Sequence, residues 1–212
     1  LQWLDSDKQT LLLADFEGNA YAAAMEVKAW ADYRNIPVQL ISWRDSQTGD
    51  FLHSYEKVCH GFRQLKGQRA GLIGQVSHWL VASAFENNTA RKRLGLHIEH
   101  LPWNALPDYS EFEADPEFLD AFREHQPETL KAEAGIYRFL TYVMAEKRLD
   151  ALTLECFEMV NNKSVTACLA LALLNSKGIV AGCEGDLVSL SGMMLVKALT
   201  GRIPWMANLA SI

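Results

Sequence analysis

Ala151-Leu-Thr-Leu-Glu-Cys-Phe157 is a short apolar run that carries an acid near its end, and Ile179-Val-Ala-Gly-Cys-Glu184 is another. Neither alternates cleanly between apolar and polar residues, so residues 151–157 and 179–183 read as strands buried on both faces. The apolar run at 165–174, interrupted by Thr166, reads as a buried helix with Gly178 as its stop. Strand, helix, strand in this order predicts a parallel sheet with helices over both faces.

The alternation extends outward from there. Toward the C-terminus, residues 187–199 read as a helix with Leu187, Leu190, Met194 and Leu195/Ala198 inward, ended by Gly201. Residues 205–209 start another strand. Toward the N-terminus, residues 108–149 are long, polar and mostly helical, with Pro116 and Pro127 as breaks. The acidic part, 108–133, reads as a solvated helical surface, with a lid as the alternative. Residues 96–101 are a strand, and a helical stretch begins at 79–85 and extends through 90–94. Residues 74–78 are a loop and 70–73 a strand.

An earlier series has strands at 11–14 and 38–43. Between them Ala22, Met25, Ala29 and Tyr33 recur at helical spacing with Trp30 beside them, and Asn19 can N-cap that helix. Residues 51–65 read as a helix with Leu52, Tyr55, Val58/Cys59 and Phe62 on one face, closed by Gly67. The chain divides near Lys66. Residues 1–66 are the C-terminal part of a first βα domain, and 67–212 are a second that carries the candidate site. Without an initiating Met, the chain is expected to be a piece of a longer protein.

Composition narrows the function. The 212 residues are 49% hydrophobic with a net charge of −6, which fits a globular fold and argues against nucleic acid as a partner. The longest apolar run falls short of the roughly 20 residues of a membrane span. The four cysteines (Cys59, Cys156, Cys168, Cys183) lack CxxC spacing and read as free thiols in a reducing cytoplasm. There is no Gly-x-Ser-x-Gly elbow and no Gly-x-x-x-x-Gly-Lys phosphate loop. Gly71-Leu-Ile-Gly74 lacks the third glycine of a dinucleotide fingerprint and reads as a tight strand exit.

Ligands of open parallel sheets bind beyond the carboxyl ends of the strands. That rule selects Asp15, Gln75 to His78, Glu155, Glu184 and Asn208. Glu155 and Glu184 end apolar runs, where a carboxylate needs a partner, water or a metal. Together they can hold a hard divalent cation through oxygen; singly, each can also cap the helix that follows. Asp186 precedes a helix and reads mainly as its N-cap. Asp15 and Asn19 read as loop and cap residues. His78 and Trp79 suit a sugar, through hydrogen bonding and ring stacking, or equally a helix start with a core Trp. The other histidines show no ligand spacing.

Four stretches carry a resemblance: Gly71-Leu-Ile-Gly-Gln-Val-Ser-His-Trp-Leu-Val-Ala-Ser83, Leu152-Thr-Leu-Glu-Cys-Phe157, Ala167-Cys-Leu-Ala-Leu-Ala-Leu-Leu-Asn-Ser-Lys-Gly-Ile-Val-Ala-Gly-Cys-Glu-Gly-Asp-Leu187 and Leu199-Thr-Gly-Arg-Ile-Pro-Trp-Met-Ala-Asn208. They resemble the L-fucose isomerase/L-arabinose isomerase superfamily, especially its fucose isomerase-related branch. The likeness is specific from about residue 70 to 208 and weak over 1–66. It implies an α/β chain of two Rossmann-like βα domains with parallel sheets flanked by helices, the first partial.

The resemblance implies a cytoplasmic aldose–ketose isomerase acting on a free monosaccharide, with Mn²⁺ or another divalent cation such as Mg²⁺. By motif position Glu155 and Glu184 are its metal ligands, one of them also the proton-transfer base; His78, Trp79 and Asn208, selected above at or beside the strand exits, are the candidates toward the sugar. A third ligand, a histidine, is expected from a C-terminal domain outside this chain. Glu184 is closer to the arabinose type, where the fucose type has Asp, so Asp186 is the competing ligand. A homo-oligomer, trimer or hexamer, is implied as well. The alternatives are a non-catalytic sugar-binding α/β protein and a piece that serves only assembly of a larger enzyme.

Overall fold

Apolar runs become strands where a neighbouring strand can take their backbone bonds, and they stop where that neighbour turns away. The computed structural model describes residue 4 and residues 9–208, and shows an α/β chain that divides into two compact units, Leu1–Val58 and Cys59–Ile212.

In the first unit β1 (Thr10–Ala14) pairs in parallel with β2 (Val38–Ser42), Thr10 opposite Val38 and Ala14 opposite Ser42, and α1 (Ala20–Tyr33) is the crossover. Ala22, Met25, Ala29 and Tyr33, the residues that recur at helical spacing, are exposed, and Ala24 and Ala31 are buried instead. Residues 20–25 are apolar without interruption, so periodicity does not separate the faces, and the small side chains settle which face lies inward. Asn19 stands at the N-cap without a side-chain capping bond; its carbonyl accepts from Ala23 N at 2.9 Å. α2 (Thr48–Leu65) starts here, where Thr48 Oγ1 donates to Ser42 O at 2.6 Å.

The second unit holds a four-stranded parallel sheet of β3 (Arg69–Ile73), β4 (His97–Leu101), β5 (Ala151–Leu154) and β6 (Val180–Gly182). Its order is β4-β3-β5-β6. α3 (Asn87–Leu94) joins β3 to β4. α4 (Pro116–Ala121) and α5 (Pro127–Lys147) lead to β5, α6 (Cys156–Lys163) and α7 (Cys168–Ser176) lead to β6, and α8 (Leu187–Thr200) follows. Successive side chains on each strand face opposite layers. Ile73, Leu152 and Leu154 pack with Phe118, Phe139, Leu140 and Leu174. Ala70, Leu72, Ala151 and Val180 pack with Leu65, Ala90, Leu187, Leu190 and Met194. Burial of each such Leu or Phe contributes roughly 1.5–3 kcal/mol, so both layers hold the strands in place.

Four expectations need correction. The stretch 108–149 is not one interrupted helix: Pro116 and Pro127 start α4 and α5 rather than break them, because Pro loses nothing at N1. Its acids Glu111, Glu113, Glu117 and Asp120 are exposed, while α5 buries Ala134, Ile136, Tyr137, Phe139, Leu140 and Val143. Residues 79–85 form turns, not helix. Leu80 N donates to Ser77 O and Ser83 N to Leu80 O, turn bonds three residues back, and Ser83 O accepts from Leu187 N at the start of α8. β5 stops at Leu154, and α6 starts at Cys156, because β3 ends at Ile73 and Gly74 turns off at φ 77°. Residues 203–208 form no strand, since Pro204 lacks a ladder donor; Leu209 lies outside the described residues. Among the described residues no helix is long and apolar enough to cross a membrane.

Candidate functional site

The strand order reverses at β3: the chain first steps to β4 on one side, then returns to β5 on the other. Such a reversal opens a crevice beyond the carboxyl ends of the two strands that part there, β3 and β5. Gly74 and Gln75 leave β3, and Glu155 leaves β5. Glu155 N donates to Ile73 O at 2.9 Å, the last bond between the strands.

The Glu155 side chain turns back into this crevice. It occupies the N-cap position of α6 yet makes no side-chain capping bond. Instead Oε2 accepts from Gln75 N at 3.0 Å and from Trp103 Nε1 at 3.2 Å. Gly74 is required beside it: a Cβ there would lie 2.5 Å from both Glu155 Oε2 and Trp103 Nε1. The Gly74 carbonyl is bonded to His100 Nε2 at 2.6 Å, which fixes the loop that holds the carboxylate.

Glu184 leaves β6, the next strand over. Its φ is +61°, a left-handed conformation that costs a non-glycine residue of order 1–3 kcal/mol. Gly185 follows at φ +67°, where any Cβ would run into Gln75 O. The turn is held from several sides: Ser77 N donates to Glu184 O at 2.9 Å, Gly185 N to Leu154 O at 2.9 Å, and the buried Thr153 Oγ1 to Cys183 O at 3.1 Å. The Glu184 carboxylate accepts from Trp79 Nε1 at 2.7 Å through Oε2 and, at 3.4 Å, from Asn208 Nδ2 through Oε1.

Asp186 does not share that role. Its Oδ1 accepts from Ser189 N at 2.8 Å and its Oδ2 from Ser189 Oγ at 2.7 Å, so both oxygens cap α8. In the first unit, the Asp15 carboxylate lies beside the Arg44 guanidinium at 3.1 Å.

The structure therefore brings Trp79, Glu184 and Asn208 into one hydrogen-bonded group, and ties Glu155 to the Gln75 loop that precedes His78 and Trp79. His78 is exposed and stands edge-on to Trp79, ring centroids 4.7 Å apart. Trp79 in turn meets Phe157 at 4.9 Å and 89°, the two rings 44% and 42% exposed. Neither glutamate has a Lys or Arg within ion-pair distance among the described residues. Among the described residues no group of three or more His, Cys, Asp and Glu is placed to hold a metal ion, so any cation taken by the two glutamates needs further ligands.

Each glutamate is followed or preceded by a cysteine, and the two thiols meet. Donation from the Cys183 thiol, aided by the Glu184 backbone N–H, brings the Cys156 thiol down to about 7 against the pull of burial. Cys183 holds the shared proton, and its own titration is pushed up by that bond and by burial.

Sequence reasoning missed Trp103, His100 and Phe157. The first two flank the carboxyl end of β4 in His97-Ile-Glu-His-Leu-Pro-Trp103, and the strand-exit rule applied to that strand would have found them. Phe157 was read as part of a strand, which hid its exposure on the first turn of α6. No protein-family model matches the chain, and no curated protein matches it.

Proposed function

We propose that the carboxyl edge of the second sheet is a monosaccharide site, and that the protein interconverts an aldose and a ketose there with a divalent cation held by Glu155 and Glu184. The observation that carries this reading is the pair of carboxylates on adjacent strand exits, each oriented by an indole N–H and neither neutralised by a basic side chain among the described residues. Carboxylate oxygens are the hard donors that Mn²⁺ and Mg²⁺ take, and one or two carboxylates are a usual protein share for Mg²⁺. The donor chemistry fits. The resemblance supplies the rest of the set as a histidine from outside this chain. When bound, the cation polarises the sugar carbonyl.

The chain's own groups do the remaining work. One of the two glutamates takes the proton from C2 of the open-chain aldose and returns it to C1, while a second proton moves from O2 to O1, the sugar passing through an ene-diol. The bonds from Trp79, Trp103 and Gln75 engage Oε2 of the two carboxylates and keep them turned toward the crevice. Asn208 and His78 offer polar contacts for sugar hydroxyls, and the Trp79 ring an apolar face. The same reading takes the units as two Rossmann-like domains of a cytoplasmic homo-oligomer, trimeric or hexameric, by resemblance.

Calorimetry with Mn²⁺ tests the proposal, on this chain and on a longer polypeptide that contains it, each beside Glu155→Gln and Glu184→Gln. Near one ion per chain in the longer form, abolished by either substitution, supports it, and a sugar screen follows. No binding, or binding indifferent to both glutamates, ends it. A second reading, sugar binding without catalysis, is favoured by the half-exposed Trp79–Phe157 pair; sugar affinity that persists in chelator would select it.

A further inference from the structure

We propose that Cys156 and Cys183 form an oxidisable dithiol, a modification site at which a hydroperoxide closes a disulfide across the exits of β5 and β6. Both side chains lie on the same apolar layer of the sheet, Cys156 within it and Cys183 packed against it, and each thiol is the largest influence on the other's titration. The ladder sets that proximity rather than chance rotamers. Thr153 is paired with Gly182, so the residues that follow emerge side by side. Thr153 Oγ1 holds the Cys183 carbonyl, and Gly185 N holds the Leu154 carbonyl. Backbone bonds thus bracket both cysteines at neighbouring strand exits.

Access comes from one side. Cys156 is buried, whereas Cys183 is partly exposed and lines a cavity of about 520 Å³ together with Cys168, Leu171, Asn175 and Trp205. A small hydroperoxide entering that cavity meets Cys183 first. The Cys183 proton first passes to Cys156, and the Cys183 thiolate attacks the O–O bond; an S–O bond forms, the O–O bond breaks, and the alkoxide takes a proton from solvent and leaves as alcohol, or as water when the oxidant is hydrogen peroxide. The Cys156 sulfur then attacks the sulfenic sulfur. The S–S bond forms, the S–O bond breaks, and hydroxide departs with the Cys156 proton as water. The peroxide supplies both oxidising equivalents, and a small thiol restores the pair. Cys168 borders the same cavity, so it is the competing partner for Cys183.

The test needs no assumption about metal or sugar, so its failure and the failure of the isomerase reading are separate results. The full chain is treated with hydrogen peroxide, remaining thiols are blocked with N-ethylmaleimide, and a tryptic digest is mapped without reduction. Cleavage after Arg148, Lys163, Lys177 and Lys197 puts Cys156, Cys168 and Cys183 on three different peptides. The expected cross-link joins residues 149–163 to 178–197. Dithiothreitol should reverse it, it should persist in Cys168→Ser, and it should vanish in Cys156→Ser and Cys183→Ser. Phenylarsine oxide, which bridges two close thiols without oxidant, should protect both from the maleimide in the unmodified protein. A dominant link between 164–177 and 178–197, or sulfinic acid with no cross-link, overturns the proposal. The unmodified chain alone gives that answer if a variant does not fold.

Discussion

β5 and β6 leave the same edge of the sheet side by side, and both leave through a glutamate, but the two exits are built differently. At β5 the chain enters helix within one residue: Glu155 has an ordinary φ of −71° and Cys156 already belongs to α6. At β6 residues 183–186 separate strand from helix, Glu184 and Gly185 are both left-handed, and Asp186 caps α8. The second exit divides two tasks between two acids. Asp186 satisfies the helix N-terminus, and Glu184 is left to the crevice. The first exit has only one acid, and it leaves the helix uncapped by a side chain in order to face Gln75 and Trp103. An acid at a strand end is thus read correctly only together with whatever else meets the next helix.

Steric changes break this comparison most strongly. Gly185→Ala puts a Cβ against Gln75 O, a backbone atom that cannot move aside, at a left-handed φ. A loss of about 3 kcal/mol or more is expected in urea denaturation. Gly74→Ala at the β3–β5 crevice meets the side chains of Glu155 and Trp103 instead, which can shift, so a smaller loss of about 2 kcal/mol is expected. Equal losses would mean that the two exits are equally rigid.

Next comes the division of labour. Asp186→Ala should cost about 1–2 kcal/mol of stability, the worth of an N-cap, while leaving Mn²⁺ affinity within roughly twofold of the parent by calorimetry. A collapse of affinity would transfer the ligand role from Glu184 to Asp186.

The smallest effect is the sharpest. At position 184, Gly should be more stable than Ala by about 1 kcal/mol, because Gly relieves the left-handed backbone and both variants lose the same carboxylate. At position 155 the order should reverse, since φ is −71° there and Gly only adds freedom to the unfolded chain. Thermal melts of the four variants decide it; the same order at both sites would remove the strain argument.

The parallel β/α frame was legible because buried parallel strands leave unbroken apolar runs, as at Leu72, Leu152 and Val180. Glu155 and Glu184 were legible by the same rule, as the acids that interrupt such runs. The direction of the Glu155 side chain was not, because it depends on Gln75 N, about 80 residues away in sequence. α6 was hidden for a related reason. Cys156 and Phe157 continue the apolar run, and only the end of β3 at Ile73 tells the strand to stop. The inward face of α1 was illegible because alanine is apolar on every side of that helix.

The strand order has a kinetic consequence. Contacts that join β3 to β4 and β5 to β6 close segments of 26 and 30 residues, whereas the Gln75–Glu155 bond between the two pairs closes 80. The longer closure costs only about 1 kcal/mol more in chain entropy, but it is the non-local step that sets the pace of such topologies. The crevice is the seam between two halves that can each form early, and it comes into being only when they dock. A ligand lodged in that seam would accordingly slow unfolding and leave the refolding rate nearly untouched.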